Sequence, residues 1–298
     1  MSEQTTISWT KSTWVPVTGC TRVSPGCDHC YAFQLHDQRH LAWKRGRWES
    51  APPQYYEPFS TVQLMPARLL DPLTWLVPRH VFVTSMGDLF HEAVPDEYLD
   101  QIFAVMALAS RHRFQVLTKR PARMKAYLDR GPEPIRDAMH ARGRELEYTW
   151  SSAKLIRCYG RPEDDWQSLY AQWPFRNIWT GITVENQAAA DERIPILLDT
   201  PSALRWLSVE PLLEAVDISL WTTDNELLDR PGIKWVVVGG ESGPHRRPFD
   251  EEWAGAIAEQ CLWAGVPVFA KQTGALKSEQ PFVTIPELNA LKELPPWD

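Results

Sequence analysis

The feature that most constrains this chain is a pattern recurring along its 298 residues: a short β-branched apolar run, a Gly or charged residue at its end, then a helical stretch. The runs are 80–85 (HVFVTS), 114–119 (FQVLTK), 177–183 (NIWTGIT), 203–210 (ALRWLSVE), 234–241 (KWVVVGGE) and 267–272 (PVFAKQ). Near-continuous apolar strands belong to a parallel sheet covered on both faces. Helices are predicted at 96–110, 121–128, 187–198 and 250–264, several opening on Pro or Asp. With a first strand near 14–18, the alternation predicts an α/β fold: one domain, a partial or distorted (β/α) TIM-type barrel of about six to seven parallel strands. An open doubly wound sheet is the alternative. In both, ligands gather at the carboxyl ends of the strands. Two segments, 39–66 and 129–176, interrupt the alternation and read as long insertions.

Charge narrows the partners. Lys plus Arg number 31 against 38 Asp plus Glu, so a net charge of −7 excludes global attraction to polyphosphate, and a nucleic-acid partner needs a local basic strip. The longest apolar run, 102–109, is too short to span a bilayer, and residues 1–11 lack the apolar core of a signal peptide. The expectation is a cytoplasmic protein with no membrane partner. Fifteen Trp supply large flat contact surfaces. Five Cys is an odd number, and three fall within eleven residues, which points to a metal or redox site rather than a disulfide frame.

Those three lie in GCTRVSPGCDHCY as Cys20, Cys27 and Cys30, spaced C-x6-C-x2-C. One turn brings two cysteines three apart to the same side, and the Pro-Gly turn of TRVSPG can return the third. Three thiolates fit a [4Fe–4S] cluster with one iron left open. They also fit a structural zinc completed by His29, His36 or His40. A zinc deaminase needs an upstream H-x-E, and no His precedes Cys20. Cys158 and Cys261 read as buried structural residues. His36 and His40, four apart, read as a solvated helix face rather than ligands. No phosphate-binding loop, G-x-G-x-x-G or G-x-S-x-G motif occurs, and His91-Glu92 is not a zincin motif.

The stretches TGCTRVSPGCDHCYA, VFVTSMGDLFH, FQVLTKRP, GITVENQAAADERIPILL, LSVEPLL, WVVVGGESGP and VPVFAKQTG together resemble the radical S-adenosylmethionine (SAM) superfamily, and within it the phage-associated family of three-cysteine, radical-SAM-like proteins. The superfamily's usual spacing is C-x3-C-x2-C with an aromatic before the last Cys. Here the first gap is six and His29 holds the aromatic position. The resemblance implies a [4Fe–4S] cluster on Cys20, Cys27 and Cys30, S-adenosylmethionine at the open iron, and an external one-electron donor of the flavodoxin or ferredoxin type. It also implies modification or repair of a nucleic-acid base or nucleotide, such as phage DNA hypermodification in the host cytoplasm.

The SAM contacts it implies fall at strand ends. Gly87 and Asp88 would meet the amino group, Lys119 and Arg120 the carboxylate, Glu185 and Asn186 the ribose, with Glu210, Gly239, Gly240, Glu241 and Lys271 on the remaining ends. Each has a plainer role: Asp88 as a cap, Glu185 as compensation of a helix dipole, Lys119 as the partner of Glu210, Gly239-Gly240 as ordinary turn chemistry.

For the substrate, Arg39, His40, Lys44, Arg45 and Arg47 interleave with Trp43 and Trp48, a pattern suited to a nucleic-acid strand or flipped base. Further cations are Arg123 and Lys125, then His245, Arg246 and Arg247. The competing readings are Arg and Trp stems covering the barrel edge, and a non-catalytic, zinc-stabilised nucleic-acid or protein-binding module.

Overall fold

The computed structural model describes residues 5–149, 171–223, 232–274 and 280–296. Seven strands form one sheet: β1 (Ser12–Trp14), β2 (His80–Val83), β3 (Arg113–Thr118), β4 (Ile178–Thr183), β5 (Leu204–Val209), β6 (Trp235–Val238) and β7 (Val268–Ala270). All pairings are parallel and spatial order follows chain order. An order without reversal has no topological switch point, so the doubly wound alternative is excluded.

The sheet curls. Trp9 packs its ring 4.8 Å from Phe82 of β2 and 5.8 Å from Trp235 of β6, so those two side chains lie within about 11 Å of each other. Four strand spacings in a flat sheet would separate them by roughly 19 Å. The result is a half-barrel of seven strands, with no pairing between β1 and β7 among the described residues. Trp9, Phe82, Trp179, Trp206, Trp235, Val237 and Phe269 fill its concave face. Each large aromatic there is worth a few kcal/mol of apolar burial, at about 25 cal/mol per Å². A Cβ at Gly181 would come 2.4 Å from the Trp206 ring, which is why the inward position above Trp179 carries no side chain.

Helix α1 (Tyr31–Lys44) packs on the segment that returns through Tyr55 and Phe59, while α2 (Asp96–Leu108), α3 (Pro121–Leu128), α4 (Glu133–Thr149), α5 (Gln187–Leu198) and α6 (Glu251–Trp263) lie on the convex side. Leu99, Ile102 and Phe103 of α2, Ile194 of α5 and Ile257 of α6 share one buried cluster with Val81, Phe114, Ile182, Leu207 and Val236. Asn186 and Asp250 start their helices by accepting from backbone N–H groups, as short polar side chains do at this position.

Three parts of the chain depart from the pattern its sequence predicts. The first strand is Ser12–Trp14 rather than 14–18. Pro16 has no N–H for a ladder, and Val17–Thr18 instead pairs antiparallel with Gln63–Leu64 in a separate ribbon. Segment 39–66 is not a free excursion: α1 runs through its start, and the chain then folds back to bury Tyr55 and Phe59. Segment 129–176 begins with the 17-residue α4, packed on α2. Its remainder to residue 170, Cys158 included, lies outside the described residues.

Candidate functional site

The cysteine loop crosses the carboxyl ends of the strands. Gly19, at φ +93°, enters it beside the chain after β2: its N–H donates to the Met86 carbonyl at 3.0 Å, and it forms a bridge with Gly87. A Cβ at Gly87 would lie 2.9 Å from the Gly19 carbonyl, so Gly87 serves this close approach, while a Cβ at Gly19 would lie 2.3 Å from the Thr61 carbonyl oxygen, so Gly19 admits the returning 61–62 segment. Pro25–Cys27 makes a 3₁₀ turn, and Cys30 is the residue before α1. All three cysteines are free; Cys27 is buried, Cys20 and Cys30 half-buried. Burial, with the Asp88 carboxylate, pushes the Cys20 thiol up to about 11 against the pull of Arg120.

Three carboxylates, one after each of β2, β4 and β6, clamp this loop. Asp88 Oδ1 accepts from the Phe90 N–H at 2.9 Å and from Thr118 Oγ1 at 2.7 Å, while Oδ2 accepts from the Lys119 N–H at 3.2 Å and Arg120 Nη1 at 3.1 Å. Arg120 passes that anchorage on, donating through Nη2 to the Thr21 carbonyl at 3.2 Å and to Thr21 Oγ1 at 2.8 Å. His91 braces the same threonine. The Ala93 N–H donates to its Nδ1, so the network assigns the proton to Nε2, 2.9 Å from Thr21 Oγ1.

Glu185 is fully buried and holds the middle of the loop. Its Oε2 accepts from Arg193 Nη1 at 2.8 Å, and its Oε1 from Lys119 Nζ at 3.3 Å and from the Ser24 hydroxyl. A Cβ at Gly26 would stand 2.8 Å from that Oε1. Burial acts to raise the Glu185 pKa, but Lys119, Arg193 and Ser24 outweigh it and hold the carboxyl below its ordinary value.

Glu241 holds the far end. It accepts from the Arg247 N–H at 2.8 Å, from Arg247 Nε at 3.1 Å and Nη2 at 2.5 Å, and pairs with His29 Nδ1 at 3.1 Å. Arg247 Nη2 also reaches the Pro25 carbonyl at 3.0 Å. Burial again acts to raise the pKa, and the Arg247 hydrogen bonds overcome it.

The remaining strand-end positions sort by geometry. Lys119 pairs with Glu185, not with Glu210; Glu210 Oε1 instead accepts from Lys271 Nζ at 2.5 Å. That half-buried pair, from the ends of β5 and β7, shares no side-chain partner with the loop among the described residues. Asn186 caps α5, its Oδ1 accepting from the Ala189 N–H at 2.8 Å. Gly240 allows the chain after β7 to pass, since a Cβ there would be 2.7 Å from the Gly274 nitrogen; Gly239 lies against Gln272 of the same segment.

His36 and His40 are buried rather than solvated, with His36 Nε2 2.9 Å from the Glu57 carbonyl and His40 Nδ1 2.8 Å from the Tyr55 carbonyl. They fasten α1 to the returning segment, whose carbonyls no local pattern could foretell. Ser24, Thr21 and Arg193 carry no motif that marks them as part of the site. The one signal was Arg193 eight residues after Glu185, two turns along α5. In the basic strip, Lys44, Arg45 and Arg47 are exposed beside Trp48, and Trp43 stacks on Tyr56 with centroids 4.7 Å apart. Arg39 is engaged with Tyr55 through its hydroxyl and its ring face.

Among the described residues, no three His, Cys, Asp or Glu side chains stand close enough to hold a single metal ion. No described helix is long and apolar enough to cross a membrane. Fold and site define a class: an α/β half-barrel whose strand ends are spanned by a three-cysteine loop held on carboxylates. The chain belongs to the DUF5131 family, described as proteins of unknown function, whose family model matches residues 4–291. No curated protein and no solved structure matches it.

Proposed function

We propose that this protein is a radical SAM-type enzyme acting on a nucleic-acid base or nucleotide, on a distorted TIM-type half-barrel. The observation that supports the reading is the clamping, over the strand ends of a curled parallel sheet, of a loop that carries three free cysteines, at the place where (β/α) enzymes keep their chemistry. The donor set fits a [4Fe–4S] cluster in its chemistry: three free Cys thiols on one loop are the ligand type that holds such clusters. A metal deprotonates a coordinating thiol, so the raised pKa of Cys20 is no obstacle. Bound at Cys20, Cys27 and Cys30 and fed by an external one-electron donor, the cluster would supply the electron that splits the SAM sulfonium and starts hydrogen abstraction.

This chain's own residues have separate tasks. Asp88, Glu185 and Glu241 hold the loop and fix where the thiols stand. Their lone pairs are largely engaged by protein donors, which supports positioning over direct contact with SAM. Glu210 and Lys271, paired with each other at 2.5 Å away from the loop clamps, would exchange that pair for the SAM ammonium and carboxylate. Lys44, Arg45 and Arg47 with Trp48 offer phosphate and stacking contacts to a strand.

The test is anaerobic reconstitution. Wild type is expected to carry about four irons per chain, to absorb broadly near about 400 nm, and to release 5′-deoxyadenosine from SAM under reduction. Cys20→Ala, Cys27→Ala and Cys30→Ala are each expected to abolish that release. A colourless protein holding one zinc, or cleavage surviving in a triple cysteine variant, would overturn the proposal.

A further inference from the structure

Arg120 stands out as a buried cation that the fold aims at a sulfur. Its side chain is 5% exposed, and its Nη1 lies 3.6 Å from Cys20 Sγ while also donating to Asp88 Oδ2 at 3.1 Å. Nη2 is held by both oxygens of Thr21, and Nε lies 3.1 Å from each Glu92 carboxylate oxygen. Contacts on all three nitrogens fix the plane of the guanidinium, so the group facing the sulfur is a rigid donor rather than a mobile side chain. Among the described residues, neither other cysteine of the loop has a charged donor: Cys27 has the Ser24 hydroxyl, 3.8 Å away.

We propose that Arg120 is a positioning residue that sets the redox poise of the Cys20 corner, donating to its sulfur and screening it from Asp88 and Glu92. The inference rests on the iron–sulfur reading above. Hydrogen bonds and positive charge at a cluster's sulfur stabilise the reduced form and raise its potential. In the step concerned, one electron leaves an external one-electron donor, which is oxidised, and enters the cluster, which is reduced; no bond forms or breaks. Taking Arg120 away withdraws a donor and uncovers two carboxylates, and both changes disfavour the added electron.

The experiment is an EPR-monitored redox titration of reconstituted protein. Arg120→Met is expected to lower the midpoint by at least about 59 mV, a tenfold change in the reduced-to-oxidised ratio at fixed poise for one electron. Arg120→Lys keeps the charge and should fall between it and wild type. Thr21→Val removes the hydroxyl brace on the loop but leaves the sulfur contact, so it should titrate with wild type. Glu92, 67% exposed, tolerates substitution, and Glu92→Gln should raise the midpoint; this variant decides the matter if Arg120→Met retains no iron. Unmoved midpoints in Arg120→Met and Glu92→Gln, or an equal fall in Thr21→Val, would overturn the inference while leaving the cluster assignment intact. A wild type that binds no iron overturns both.

Discussion

Replacing Glu185 by Gln keeps its volume but removes the one negative charge on which Lys119, Arg193 and Ser24 converge. The carboxylate is wholly inaccessible, and breaking a buried ion cluster by deleting one partner costs about 3–5 kcal/mol. The lower end applies here. Lys119 is 18% exposed and can turn to water, and Arg193 keeps the Thr183 carbonyl at 2.8 Å. For a chain of 298 residues the unfolding entropy is roughly 0.6 kcal/mol/K, so a loss of about 3 kcal/mol lowers Tm by about 5 °C. The sign with pH follows from the depressed pKa: the contribution of Glu185 is complete above the unfolded Glu value of about 4.3 and fades as pH falls through the folded value. Calorimetry at pH 7 and at about pH 3.5 should therefore show the gap between wild type and Glu185→Gln closing on acidification. Adding Arg193→Met, which removes the stranded guanidinium, should recover part of the loss at pH 7. A variant melting within about 1 °C of wild type at pH 7, or a gap unchanged at low pH, would refute the argument that this carboxylate anchors the loop.

Gly181→Ala drives a methyl into the Trp206 ring and is expected to lower Tm by about 2–5 °C, the effect of about 1–3 kcal/mol of overpacking in a rigid aromatic layer; an unchanged melting curve would count against the curled concave face. Cys261 is buried in α6, its thiol pushed up to about 12 by burial, so mass spectrometry after brief alkylation of native protein should find Cys20 and Cys30 modified before Cys261. Charge reversal of Lys44, Arg45 and Arg47 should weaken binding of a labelled single-stranded oligonucleotide and flatten its salt dependence; unaltered anisotropy curves would remove this strip from the substrate path.

Much of the site was legible because strand ends are legible. In 177–185 and 234–241 the apolar run stops at a polar or glycine position, and the period of two carries Trp179, Gly181, Thr183 and Glu185 to one face. That was enough to gather Lys119, Glu185, Glu210, Glu241 and Lys271 at one mouth. Partners were not legible in the same way. Lys119 chose Glu185 over Glu210, and Lys271 took Glu210, because neighbouring strands and the returning loop set which charges meet. His36 and His40 looked solvated because the chain that buries them, around 55–59, lies some 20 residues away and forms no regular element with α1.

The sequence by itself determined the alternation of strand and helix, the parallel sheet, and the cysteine spacing, since each depends on local pattern and short-range backbone geometry. Only the tertiary structure decided the curl around Trp9, the order without reversal, and the three carboxylate clamps on the cysteine loop. Those are contacts between segments up to some 220 residues apart. Their geometry is set by how whole strands stack, and no window of neighbouring residues carries that information.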